Sequence, residues 1–167
     1  MKLFGLLLVV LCSAMTGIYM ASGLSKRVGA IENSISLLGM LCDRLRFLQP
    51  SMNQLIGAMA SMEQFSATGY LVRCRDLLRE GHPFPESWQR AVHESTPEIG
   101  KAQAAILLPL GEVLGSTDLD SQLAALGHAR ALLENRLADA RSYRDRHAKM
   151  YQSLGVLCGL AIAILFL

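Results

Sequence analysis

Four histidines (His82, His93, His128, His147) and four cysteines (Cys12, Cys42, Cys74, Cys158) are the side chains best suited to hold a metal or attack a substrate. Their spacing argues against both roles. No HExxH or comparable pair puts two ligands on one helix face, and His128 and His147, on one predicted helix, are too far apart to share an ion. The cysteines show neither a CxxC pair nor a disulfide framework, so each reads as a small buried apolar residue. Asp118 and Asp120 resemble an acid–base pair, but they stand where carboxylates favour a helix N-terminus. The stretch Leu110-Gly111-Glu112-Val113-Leu114-Gly115-Ser116 has the glycines of a phosphate loop. It lacks the GK[ST] ending and the preceding strand that would gather amides and a lysine around phosphate. No GxSxG elbow is present. The residues therefore point to no enzyme, no metal and no cofactor.

The elements that carry these residues are set by an uneven charge distribution. Of 167 residues, 51% are apolar and 18% charged, below the roughly 25% of an average soluble chain. Every Lys, Arg, Asp and Glu except Lys2 lies between Lys26 and Lys149. That divides the chain into an apolar N-terminal segment at 1–24, a charged middle at 25–149 and an apolar C-terminal segment at 150–167. As a helix, Leu3–Leu24 reaches about 33 Å, enough for a hydrocarbon core of about 30 Å. A cleaved signal peptide is the rival reading, because Lys2 precedes the apolar run Leu3–Val10. Continuation of that run to Leu24 and the missing A-x-A site favour a retained helix. At the other end Leu154–Leu167 has no polar side chain, and with Met150–Ser153 it enters the usual range of about 17–25 spanning residues. Tyr151 stands where an amphipathic ring suits the headgroup level. Gly155 and Gly159 have the small-xxx-small spacing that admits a second helix, or they are simply tolerated in lipid.

Lys26 and Arg27 follow the first span; Arg141, Arg144, Arg146 and Lys149 precede the second. The positive-inside bias then places the middle in the cytoplasm and both termini across the membrane.

The middle reads as an all-α bundle of about five or six helices flanked by the two transmembrane helices. Val28, Ile31, Ile35, Leu38, Cys42 and Leu45 recur at steps of three and four, with Leu37, Leu41 and Leu48 widening the stripe. Gln49-Pro50 ends that helix. Ser51 is positioned to cap a second helix with Met52, Leu55, Ile56 and Met59 inward. A third near Thr68–Glu80 stops at Gly81. Pro85 suits the first position of a short helix to His93 carrying Trp88 and Val92. Thr96-Pro97-Glu98 opens one more, predicted to run through Ala102–Leu114 with a kink at Pro109. After a break at Gly115–Asp118, a last helix runs from about Leu119 to Lys149. Strand signals are missing.

Alternating charges on that last helix, Glu134, Arg136, Asp139, Arg141, Arg144 and Asp145, describe either a solvated face or a docking surface for a partner. We take Glu134, Asp139, Arg141, Arg144 and Asp145 as candidate partner-binding residues. Arg73, Arg75 and Arg79 form a modest basic patch. A net charge of +2 and few interleaved aromatics exclude nucleic-acid binding.

From Leu110 onward the chain resembles the C-terminal signature of the stage III sporulation protein AB family. The matching positions are Gly111, Leu114, Gly115, Asp118 and Gln122, then Lys149, Met150, Tyr151, Leu154 and Gly155, with Gly159 at the last glycine. Ser116-Thr117-Asp118 departs from the family's direct Ser-Asp or Thr-Asp, which changes the capping residue. The N-terminal half matches in pattern, through the apolar helix, the heptad-like helix and the Gly81…Trp88 region. The resemblance implies a component of the channel assembly around a developing endospore, in the mother-cell membrane. Its helical domain would be similar to the inner-membrane platform protein F of type II secretion. The implied partners are a secretion-type ATPase, stage III sporulation protein AA, other membrane components of the channel and the lipid bilayer, with a second copy of the chain as a further candidate. A membrane-bound helical adaptor or signalling protein unrelated to secretion is the alternative.

Overall fold

The computed structural model describes the backbone of residues 2–48, 51–115 and 118–165, and the side chains of 25–48, 51–115 and 118–146. Among the described residues all regular structure is helical. In chain order the helices are α1 (Lys2–Leu48), α2 (Met52–Ala60), α3 (Gly69–Arg79), α4 (Phe84–Glu94), α5 (Thr96–Ile99), α6 (Lys101–Leu107), α7 (Leu110–Val113) and α8 (Leu119–Leu165). A single 3₁₀ turn, Glu63–Phe65, links α2 to α3 and buries Phe65. Two compact units emerge, residues 29–137 and residues 1–28 with 138–167. Among the described residues no helix is long and apolar enough to cross a membrane. The two predicted spans, 1–24 and 150–167, lie outside the residues whose side chains are described.

Several boundaries follow from local chemistry. The last residue of α1 is Leu48, just before Gln49-Pro50. At the end of α3 the amide of His82 donates to the Leu77 carbonyl and that of Gly81 to Leu78, with Gly81 at φ 95°. This double closure is the Schellman arrangement, and its left-handed residue favours glycine. At the start of α8, Asp118 Oδ2 accepts the Ser121 amide at 3.0 Å and Oδ1 accepts the Ser121 hydroxyl at 2.8 Å. Ser51, by contrast, precedes α2 without a side-chain cap, and α4 begins at Phe84, so Pro85 is its second residue rather than its first.

The Ser121 backbone and hydroxyl bonds hold the Asp118 carboxyl below the ordinary carboxylate range. A depressed folded pKa stabilises the protein above the unfolded value of about 3.9, and that stabilisation is lost as pH falls through the folded pKa. Asp118→Ala is therefore expected to lower the melting temperature at pH 7, and the gap to the parent should close on acidification. Thermal unfolding by circular dichroism at several pH values measures this; a gap independent of pH would contradict the capping role.

The predicted helix through Thr96–Leu114 is corrected into three. Gly100, at φ 87°, separates α5 from α6, and Pro109 separates α6 from α7. Because of this division the described bundle has more and shorter helices than the five or six expected. Its core takes Leu37, Leu38, Leu41 and Leu45 from α1, Leu55, Ile56 and Met59 from α2, and Tyr70, Leu71 and Leu77 from α3. Trp88 and Val92 of α4, Leu107 of α6, Leu110 of α7, and Leu126 and Leu133 of α8 complete it. Leu48, expected to widen the apolar stripe of α1, is instead 66% exposed.

Candidate functional site

The candidate partner-binding residues all fall on α8 and all but one are well exposed. Glu134 belongs to the 29–137 unit and pairs with Arg130 one turn earlier at 2.9 Å. The Arg130 guanidinium lies over α1, 3.4 Å from where a Cβ on Gly39 would sit. Asp139, Arg141, Arg144 and Asp145 belong to the other unit. There Arg144 pairs with its neighbour Asp145 at 3.0 Å, and Arg146 reaches back to the Ser142 hydroxyl at 3.2 Å. Asp139 contributes its carbonyl to the Ser142 hydroxyl at 3.0 Å, and Arg141 is exposed. Exposed pairs of this kind stabilise a helix by less than about 1 kcal/mol.

The residues of the family signature divide into structural roles. Leu114 is buried in the core and Gly115 turns the chain at φ 83°, with Met52 packed 3.0 Å from where its Cβ would be. Asp118 caps α8, and the amide of Gln122 donates to the Asp118 carbonyl at 3.1 Å. Gly111 brings α7 against α4: a Cβ there would stand 2.9 Å from Cδ1 of Trp88 and 3.2 Å from the Pro85 carbonyl oxygen. Lys149, Met150, Tyr151, Leu154 and Gly155 lie outside the residues whose side chains are described.

The remaining polar groups are mostly paired. Arg73 at 2.7 Å and Arg90 at 3.0 Å clamp Glu94, and these bonds, Arg73's first, hold its carboxyl below the ordinary range. Arg75 pairs with Asp76 at 2.9 Å, so only Arg79 of the predicted basic patch forms no ion pair among the described residues. His82 lies 3.8 Å from Glu80 and 3.9 Å from Glu86, while His93 and His128 sit on α4 and α8. Cys74 is buried, which pushes its thiol up to about 12 and removes its nucleophilic form at neutral pH. Among the described residues no three His, Cys, Asp or Glu side chains are placed to hold a metal ion.

Two features escaped the sequence pattern. Ser34 of α1, Tyr70 of α3 and Gln103 of α6 meet inside the bundle: the Gln103 amide donates to Ser34 Oγ at 2.7 Å and to the Ala30 carbonyl at 3.2 Å. Ser34 Oγ and the Tyr70 hydroxyl share a hydrogen bond at 2.8 Å. The two hydroxyls and the Gln103 NH₂ group are tolerated in the core because they find these partners, whereas the buried Gln103 Oε1 has none among the described residues. The second is an apolar groove between α6–α7 and α8, formed only by tertiary packing. A serine at Ser34 inside a leucine-rich stripe was the one visible hint of the first; nothing in the pattern marks the second.

Compared with known proteins, residues 2–167 match the family described as stage III sporulation protein AB. No curated protein and no solved structure matches the chain.

Proposed function

The chain belongs to the stage III sporulation protein AB family, and on that premise we propose that it is a non-catalytic platform in the channel assembly between mother cell and forespore. In this reading the residues 1–24 and 150–167 anchor it in the mother-cell membrane around the forespore. The helical body stands in the cytoplasm, both termini lie across the bilayer, and the body couples a secretion-type ATPase to the other membrane components.

Two observations support the reading. The first, which carries it, is the match to the sporulation family over nearly the whole chain. The second is the excess of basic residues on the inner flanks of the two apolar ends. Lys26 and Arg27 follow the first and Arg141, Arg144, Arg146 and Lys149 precede the second, against Lys2 alone outside them, which is the charge pattern of a body held on the cytoplasmic side. The open, charged face of α8 offers a surface on which a soluble partner can dock without unfolding the bundle, since its pairs are exposed and cheap to rearrange.

Reversing charge at Arg141 and Arg144 together is the test. Like charges brought together across an interface cost several kcal/mol, so the double glutamate variant in nanodiscs should retain the ATPase, stage III sporulation protein AA, at least about tenfold less well in a pull-down. Retention equal to that of the parent chain would remove α8 as the docking surface.

A further inference from the structure

The groove between α6–α7 and α8 has a volume of about 360 Å³ and lies wholly inside the 29–137 unit. Ala105 and Ile106 form one wall, Ala125 and Ala129 the other, and Leu132, 38% exposed, stands at the lip. Along α8 the lining runs from Ala125 to Arg136, about 16 Å at 1.5 Å per residue. That length accommodates apolar anchors spaced i, i+3 or i+4, and i+7 on a partner helix, and the alanines let its backbone approach closely.

Charge decides which helix. The only ionisable side chains lining the groove are His128 and Arg136, and neither forms an ion pair among the described residues. Two carboxylates of these helices are engaged elsewhere, Glu134 held by Arg130 and Glu112 accepting a hydrogen bond from Gln89 of α4 at 3.2 Å, and Asp139, one turn beyond Arg136, does not line the groove. An apolar trough with a cationic end and no anion of its own is complementary to an apolar stripe that ends in a carboxylate.

We propose that this groove seats an amphipathic helix of a partner protein, its apolar stripe on Ile106, Ala129 and Leu132 and an acidic side chain on Arg136. The inference goes beyond the platform reading and does not depend on it; it specifies the chemistry of a partner segment, whichever protein carries it.

The probe is a pair of fluorescent amphipathic peptides with leucines at the three anchor spacings, one ending in glutamate and the other in lysine. Binding is read by anisotropy on the full chain in phosphatidylcholine nanodiscs, with empty discs subtracted. The glutamate peptide should bind at least about tenfold more tightly than the lysine peptide, and Arg136→Glu should reverse that order. Ala105→Trp, an exposed position on the groove wall, should block both peptides without altering the circular dichroism spectrum. Absence of binding, equal binding of the two peptides, or an order unmoved by Arg136→Glu would overturn the proposal. So would concentration-dependent self-association of the parent chain that Ala105→Trp abolishes, because the groove would then belong to a second copy.

Discussion

Trp88→Ala is expected to cost about 3–5 kcal/mol, the largest loss available to a single side chain in this bundle. Against a total stability of about 5–15 kcal/mol for a domain, that is a large fraction of the whole. Trp88 is completely buried, edge-on to Tyr70 with ring centroids 5.8 Å apart and 5.9 Å from Phe84. Its indole Nε1 also donates to the Leu107 carbonyl at 2.8 Å. That carbonyl is available because α6 stops there. In an unbroken helix the Gly111 amide would take it, but here that amide donates to Leu108 and the Glu112 amide donates to Pro109. Trp88→Phe separates volume from hydrogen bond: it keeps most of the apolar contact and leaves the Leu107 carbonyl unpaired, a loss of about 1–3 kcal/mol. Thermal unfolding of the three chains by circular dichroism should rank parent, Phe variant and Ala variant in that order. Equal melting temperatures for Phe and Ala variants would mean that the hydrogen bond, not the ring, dominates.

Gly111→Ala is expected to destabilise the protein by about 1–3 kcal/mol, as overpacking of a filled core does. Helix propensity alone predicts the opposite, since alanine is favoured over glycine inside a helix by about 0.5–1 kcal/mol. The contacts decide between them. A new methyl group 2.9 Å from the Trp88 ring and 3.2 Å from the Pro85 carbonyl oxygen meets a fully buried ring and a main-chain atom. Neither can swing aside as the end of a flexible side chain would. Gly127→Ala on α8 is the control: nothing lies within 4 Å of its Cβ position, so propensity acts alone and the change should be neutral or slightly stabilising. Denaturant midpoints for the two variants should therefore move in opposite directions. A stabilising Gly111→Ala would show that α7 shifts away from α4 at little cost.

Much of the helical order was legible in the sequence because it rests on neighbours along the chain. A proline disfavours the helical conformation at the residue before it, and the described α1 runs to Leu48. Gly81 takes a left-handed conformation that closes α3, and Asp118 offers a carboxylate to the first turn of α8. The inward set of α2 followed as directly: Leu55, Ile56 and Met59 are all buried. The candidate partner residues were legible only as charges on a helix, and on α8 all of them but the half-buried Arg144 are exposed.

Tertiary structure decided the rest. Within Thr96–Leu114, it is packing that brings Trp88 to the carbonyl left open where α6 stops before Pro109. In the buried polar trio the Ser34 and Tyr70 hydroxyls and the Gln103 NH₂ group find partners distant in sequence, and the periodicity of α1 carries no information about them. Leu48 reads as apolar yet ends exposed, which its place in the stripe does not foretell. The groove beside α8 exists only where α6 and α7 pack near it without filling the space. Caps, breakers and periodicity act over one or two turns and can be read along the chain, whereas cavities, long-range hydrogen bonds and close approaches depend on which surfaces meet.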